Sequence, residues 1–157
     1  MTMSKIKIEG VDINIIGAMA RSIRFLEKMI TGSVEKYSLT KPQLDVLFVI
    51  KYADGNSLKA TEIAEELCVS KANISGLIAR LESSNYIQRG VDPEDSRAKV
   101  LLLTEKAHVV LNEISPKYFR MTEDILEKFS KEEKEKLLEQ LEYIESCMKK
   151  GGVHDEK

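Results

Sequence analysis

The side chains most often used in catalysis and metal binding are scarce in this chain of 157 residues. It has two histidines, His108 and His154, and two cysteines, Cys68 and Cys147. Neither histidine has a second ligand at the spacing of a helical metal site, and no glycine-rich phosphate loop or nucleophile elbow occurs. Paired carboxylates such as Glu65-Glu66 are typical of a solvated helix face. The sequence therefore predicts no enzyme, no metal site and no cofactor.

Residues suited to reading a nucleic acid are concentrated on one short predicted helix. An apolar stripe at Ile74, Leu77, Ile78 and Leu81 has the spacing of a helix that packs on one face. The other face carries small or polar side chains, which allow close approach to base edges in a major groove. These candidate DNA-binding residues are Ser70, Lys71, Ala72, Asn73, Ser75, Gly76 and Arg80.

A second short helix is predicted just before this one. It carries Ile63, Ala64 and Leu67, and only Cys68-Val69 separates it from Ser70, which is suited to cap the next helix. So tight a turn sets two short helices at a steep angle. An ordinary pair of packed helices with a solvated face has the same local pattern, so this segment alone leaves both interpretations open.

Alternating residues after these helices favour a β-hairpin. One run covers 87–91 and the other covers 100–103. The segment 92–96 between them, Asp-Pro-Glu-Asp-Ser, is rich in turn formers and longer than a two-residue turn. Helix, tight turn, helix and hairpin in this order predict a winged helix-turn-helix, whose second helix can enter the major groove.

The predicted wing carries two cations and a carboxylate of interest. Arg97 and Lys99 are candidate DNA-binding residues, and Arg97 is placed to enter a minor groove, where the negative potential is strongest. Asp95 is expected to orient an arginine, either Arg97 or Arg89. The alternative for Asp95 is an exposed ion pair of small value.

Longer helices are predicted on both sides of this lobe. Apolar residues at spacings of three and four run from residue 11 to about residue 30, and Gly32 weakens the pattern near its end. The next helix begins with a capping box of Thr40 and Gln43. After the hairpin comes a long helix that Pro116 should bend. A last helix starts from a second capping box at 130–133.

Composition narrows the class of protein. Hydrophobic residues make up 43% and the formal net charge is -2, so the chain as a whole is not a basic polyanion binder. No apolar run reaches the length of a membrane span, and no segment has the pattern of a signal peptide. Two cysteines are too few for a secreted disulfide framework. The expected location is the cytoplasm, with no membrane partner.

The chain resembles the MarR family of transcription regulators. Asp95-Ser96-Arg97 followed by Leu103-Thr104 is similar to the wing signature of that family, and Leu39-Thr40 with Gln43 is similar to the start of its second helix. The resemblance implies a mainly α fold with a minor β part. It also implies a three-stranded wing sheet and a recognition helix at about Ser70 to Ser84.

The same resemblance implies how the chain is organised. A single domain, 1–157, would hold a winged helix-turn-helix lobe at 40–104 and dimerisation helices at 11–36 and 105–150. The implied protein is a homodimer that binds a palindromic duplex-DNA operator and represses transcription. A small effector, expected to be aromatic or phenolic, or an oxidant would release it. The sequence assigns no ligand-binding residues.

Three positions depart from the family pattern. Gly76 stands where a larger polar or basic residue is common, so one groove contact is expected to be absent. Ala107 replaces a frequent glycine, with little expected effect. Cys68 stands where such turns often use glycine, and it is expected to be left-handed and half-buried.

Two further interpretations stay open at this point. A helical protein-interaction module would explain the apolar terminal helices, although it would not explain the Asp-x-Arg wing. A redox-responsive regulator would use Cys68, against the simpler expectation of an inert thiol. Salt-dependent affinity for duplex DNA separates the regulator from the interaction module.

Overall fold

The computed structural model describes residues 9–92 and 98–151. These ranges contain six α-helices: α1 (Val11–Val34), α2 (Lys41–Tyr52), α3 (Ala60–Glu66), α4 (Lys71–Ser83), α5 (Glu105–Ile125) and α6 (Lys131–Gly151). They also contain three strands: β1 (Ser57–Leu58), β2 (Ile87–Val91) and β3 (Lys99–Leu103). Short 3-10 helices at Glu35–Tyr37 and Asp54–Asn56 flank α2. The predicted mainly helical fold with a three-stranded sheet is confirmed.

Helix α1 ends at Val34, a turn after the last predicted apolar position near residue 30 and within the predicted range 11–36. Gly32 lies inside the helix rather than ending it, because the last turn is held by packing. Ile30 and Val34, four residues apart and therefore on one face, are both buried. The burial of these two side chains outweighs the low helix propensity of glycine.

Helix α2 is the centre of the first packing unit. Its start is capped as predicted, since the Thr40 N–H donates to Gln43 Oε1 over 2.8 Å. Leu44, Leu47 and Ile50 are completely buried, and α2 contacts α3, α4 and β3. The helix therefore supplies the apolar surface on which the helix-turn-helix and the wing sheet are built.

The sheet is antiparallel, with strand order β1-β3-β2. Ile87 lies opposite Leu103, and Val91 lies opposite Lys99, so β2 and β3 form the predicted hairpin. Two-residue β1 adds a short outer strand through Ser57 and Leu102. The tip of the hairpin, residues 93–97, lies outside the described residues.

The contacts divide the chain into two compact units that meet between Ser115 and Pro116. Pro116 lies inside α5, as predicted. In the second unit, α6 begins with the predicted capping box, in which the Ser130 N–H donates to Glu133 Oε2 over 2.8 Å. Leu138 and Tyr143 on α6 are 57% and 70% exposed, so apolar surface of this unit is left uncovered.

Candidate nucleic-acid interface

The turn between α3 and α4 is built by the backbone and by one small side chain. The Val69 N–H donates to the Ala64 carbonyl over 2.9 Å, and Cys68 is left-handed with φ 51°, as predicted. Ala64 is buried beneath the turn, where a larger side chain would separate the helices. The thiol of Cys68 is exposed, so the expectation of a half-buried side chain is wrong. A left-handed residue at a tight reversal points its side chain away from both helices.

Helix α4 begins at the predicted cap. Ser70 Oγ accepts a hydrogen bond from the Asn73 N–H over 3.3 Å. Ile74, Ile78 and Leu81 are buried, which fixes the rotation of the helix. As a result the seven predicted DNA-binding residues on α4 are all exposed: Ser70, Lys71, Ala72, Asn73, Ser75, Gly76 and Arg80.

Two of these exposed positions have properties that bear on base contacts. The Ser75 hydroxyl donates to the Lys71 carbonyl over 2.8 Å, so in this state its lone pairs are free to accept a hydrogen bond. A Cβ added at Gly76 would have no atom within 4 Å. The glycine is therefore not required by packing, and it leaves room for close approach of a ligand.

The far end of α4 is held by Tyr86, which sequence reasoning did not single out. Tyr86 is 2% exposed, and its hydroxyl donates to the Tyr37 carbonyl over 2.7 Å. Burial raises the pKa of the Tyr86 hydroxyl, and Tyr37 adds to the rise. Lys106 lies 4.1 Å from the centre of the Tyr86 ring and donates to the Ser84 carbonyl over 2.8 Å. These contacts tie the end of α4 to the start of α5.

A second group of side chains continues this connection toward α1. Tyr37 donates its hydroxyl hydrogen to Glu113 on α5, and Lys36 Nζ lies 3.3 Å from the same carboxylate. The hydrogen bonds to Tyr37 and Glu113 raise the pKa of Lys36. Glu113 thus joins the segment after α1 to α5.

The wing is anchored to the helix-turn-helix at its base. Lys59, the residue before α3, lies 2.9 Å from Asp92 at the end of β2. Lys99 at the start of β3 is exposed, as predicted. Arg97 and Asp95 belong to segment 93–97, so both of these predicted site residues lie outside the described residues.

Arg89 has a partner that the sequence analysis did not consider. Its Nε and Nη2 donate to the two carboxylate oxygens of Glu82 over 2.7 and 3.1 Å. This bidentate pair raises the pKa of the guanidinium, through the hydrogen bond first and the charge second. Of the two arginines proposed as partners of Asp95, Arg89 is paired with Glu82; Asp95 itself lies outside the described residues.

A cavity of about 160 Å³ opens between α4 and the wing. Its lining residues come from α3, α4 and both hairpin strands: Ala60, Ser75, Ile78, Arg89, Lys99 and Leu101. Two cations and one hydroxyl thus surround an apolar floor.

No group of three metal-ligating side chains occurs within residues 9–92 and 98–151. No helix in those ranges is long and apolar enough to cross a membrane.

Comparison with known sequences points to one family. The sequence model described as the MarR family matches residues 39–99. An HTH-type transcriptional regulator of Bacillus cereus is 30% identical over 149 residues, covering 92% of this chain and 94% of the relative. The regulator YfiV of Bacillus subtilis (strain 168) is 32% identical over 113 residues, covering 72% and 69%.

Solved structures agree on the fold. AbsC, a MarR family regulator from Streptomyces coelicolor, has a TM-score of 0.77 at 17% identity, covering 92% of this chain and 99% of that one. A MarR protein from Peptoclostridium difficile has a TM-score of 0.78 at 22% identity, covering 96% and 97%. The complex of S. aureus MepR with DNA has a TM-score of 0.74 at 22% identity, covering 83% and 94%. The predicted winged helix-turn-helix fold is confirmed.

The Tyr86 anchor generates a stability prediction. Tyr86→Phe should lower the free energy of unfolding by about 1 kcal/mol, because the buried hydroxyl hydrogen bond is lost. Since the folded pKa of Tyr86 is raised, its contribution is complete below the unfolded value near 10 and is lost as pH rises through the folded value. Urea unfolding at pH 7 to 11 should therefore show a shallower alkaline loss in Tyr86→Phe.

The matched control is Tyr143→Phe, because Tyr143 is 70% exposed. It should leave both the stability at pH 7 and the alkaline slope unchanged. Equal effects of the two substitutions would contradict the anchoring role of Tyr86.

Proposed function

Because the chain belongs to the MarR family of transcription regulators, we propose that it binds a palindromic duplex-DNA operator as a homodimer and represses transcription. The observation that carries the proposal is the exposed face at the start and along α4, where seven small or polar residues stand clear of the core beside a wing that presents Arg89 and Lys99. The chain is a regulator and not an enzyme, since its family and its relatives are transcription regulators. We place it in the cytoplasm, where its DNA would be.

Base reading is assigned to the first turns of α4. Asn73 is placed to contact a base edge, since an amide can pair with adenine through two hydrogen bonds. Ser75 accepts from a base amino group while it donates to Lys71. Lys71, Ser70 and Arg80 are placed to contact phosphates, which position the protein without reading sequence. MepR and Sco3205, which share the fold, were crystallised with DNA, and this supports the assignment.

The wing is assigned to the neighbouring minor groove. Arg97, two residues before Lys99, would carry the contact because a guanidinium is always charged and suits a narrow groove. Asp95 would hold Arg97 in place, because the two lie two residues apart in the wing and a carboxylate can orient a guanidinium through two hydrogen bonds. Lys99 would contact the backbone beside it.

Release by a small aromatic or phenolic effector completes the proposal. Its support is the family alone, and no ligand-binding residue is assigned. A redox trigger at Cys68 is the second candidate, because the thiol is exposed just before the recognition helix. Exposure makes the thiol accessible to an oxidant, but it is the only feature that supports this trigger, whereas the effector is supported by the family, so the effector is the better supported of the two.

The recognition-helix assignment is tested with the DNA upstream of the protein's own gene. Asn73→Ala and Ser75→Ala should each weaken operator binding by about tenfold or more, since a good base contact contributes about 1–3 kcal/mol. Binding to unrelated DNA should change little, so the preference for the operator falls. Fluorescence anisotropy at fixed salt measures both affinities. Ser83→Ala, at the exposed far end of α4 and outside the turns assigned to base reading, is the control. Unchanged operator preference in both Asn73→Ala and Ser75→Ala would contradict the assignment.

The wing assignment predicts whether each substitution in the wing weakens or strengthens operator binding. Arg97→Ala should weaken operator binding by about tenfold or more without lowering the melting temperature, and Arg97→Lys should recover only part of the loss. Asp95→Ala should also weaken binding if Asp95 orients Arg97, although it removes a negative charge near DNA. Tighter binding by Asp95→Ala, with no loss in Arg97→Ala, would show that the wing does not work in this way.

The homodimer is supported by uncovered apolar surface. Ile23 and Phe25 on α1 are 55% and 67% exposed, and Leu138 on α6 is 57% exposed. Large exposed apolar patches mark partner surfaces. Light scattering at micromolar concentration should give twice the chain mass of 17.8 kDa. Phe25→Asp should shift the mass toward the monomer, whereas a monomeric wild-type protein would rule out the dimer.

A further inference from the structure

The cavity between α4 and the wing has the chemistry of an oxyanion site. Arg89 and Lys99 lie on the wing side, while Ser75 and Ile78 of α4 form the opposite wall. None of the six lining residues is a carboxylate, and two of them, Arg89 and Lys99, are cations. The lining itself is therefore positive among the described residues.

The Glu82 pair fixes the direction of the Arg89 guanidinium. A guanidinium has five N–H donors, and Glu82 takes one from Nε and one from Nη2. The remaining donors are left for a second acceptor. Because Arg89 lines the cavity, a second acceptor seated there would meet a guanidinium already held in one orientation. Such preorganisation lowers the entropy lost on binding.

The geometry of duplex DNA brings a backbone to this place. The proposed complex puts α4 in a major groove and the wing in the adjacent minor groove. Adjacent grooves are separated by one sugar-phosphate strand. That strand must therefore cross the gap between α4 and the wing, which is where the cavity opens.

We propose that this cavity binds one phosphodiester group of the operator backbone, contacted by Arg89 and Lys99, with Glu82 as a positioning residue for Arg89. The inference rests on the proposed function and adds to it a contact that carries no sequence information but sets the register of both reading elements. It also gives Glu82, an acidic residue near DNA, a role that favours binding.

The test is a scan of the operator with single methylphosphonate linkages, which remove the charge of one phosphate at a time. At one position in each half-site, the affinity of the wild-type protein should fall by about tenfold, the size of one charge-assisted contact. Arg89→Gln removes the guanidinium contact from both protomers, so it should bind the unmodified operator up to about a hundredfold more weakly. The methylphosphonate at that same position should weaken Arg89→Gln less than it weakens the wild type, because only Lys99 is left to meet that charge. The salt dependence of Arg89→Gln should fall by about one phosphate contact per protomer.

Three further variants separate positioning from simple charge. Glu82→Gln should weaken operator binding by several-fold, and combining it with Arg89→Gln should cost nothing beyond Arg89→Gln. Arg89→Lys should fall between wild type and Arg89→Gln, because it keeps the charge but not the bidentate geometry. Lys41→Gln is the matched control, because Lys41 is also paired with a carboxylate, Asp45, but lies on α2 away from the wing and from the proposed dimer helices; it should leave both the scan and the salt slope unchanged.

The outcomes distinguish this inference from the function on which it rests. If the wild-type protein prefers its operator but every methylphosphonate weakens wild type and Arg89→Gln by the same factor, the phosphate site is wrong and the proposed function stands. Tighter binding by Glu82→Gln would likewise overturn the positioning role. If the wild-type protein shows no preference for any duplex, both proposals fail together.

Discussion

The four-residue connection between α3 and α4, residues 67–70, determines what the rest of the lobe can do. The left-handed conformation at Cys68 and the hydrogen bond from Val69 to Ala64 reverse the chain within a few ångströms. Any non-glycine residue in that conformation is disfavoured, so the turn depends on the packing around it. The buried stripe of α4 supplies that packing, because Ile74, Ile78 and Leu81 can only reach the core when the turn is closed. The outward face of α4 is therefore a consequence of the same burial that closes the turn.

The opposite end of α4 is fixed by polar contacts rather than by a turn. Tyr86 is buried and reaches Tyr37, and Lys106 covers its ring while it donates to Ser84. Helix α4 is thus anchored at both ends and presents its side chains in one orientation; if it reads DNA as proposed, this lowers the entropy lost on binding. The ion pairs Lys59–Asp92 and Glu82–Arg89 extend this rigidity to the base of the wing.

Local patterns were enough to predict most of the elements. Residues close together in the chain determine the helix caps and the hairpin strands, so their spacing alone predicts these elements. The caps are at Thr40, Ser70 and Ser130. The apolar stripe of α4 also fixed which of its residues would be exposed. The pattern in the sequence weakens at Gly32, but the helix continues to Val34, because the burial of Val34 is a tertiary effect that the helix propensity of Gly32 does not contain.

The contacts that sequence reasoning missed join distant segments. Tyr86 meets Tyr37 across 49 positions, and no local pattern encodes that pair. Glu82 and Arg89 are only seven residues apart, but they meet because the chain reverses between α4 and β2. The sequence analysis considered only the carboxylates of the wing, and it therefore predicted Asp95 as a possible partner of Arg89. The cavity beside Arg89 is likewise made by separate segments, so it could be found only in the folded chain.

The central proposal is that a homodimer binds one face of an operator, with each α4 in a major groove and each wing in the adjacent minor groove. Hydroxyl-radical footprinting of the protein on DNA from upstream of its own gene tests this most directly. The account predicts two protected regions related by twofold symmetry, with their centres about one helical turn, roughly 10 base pairs, apart. Each region should have a further protected minor groove on its outer side, where Arg97→Ala removes the protection. A single unsymmetrical footprint, or uniform weak protection of all duplexes, would contradict it.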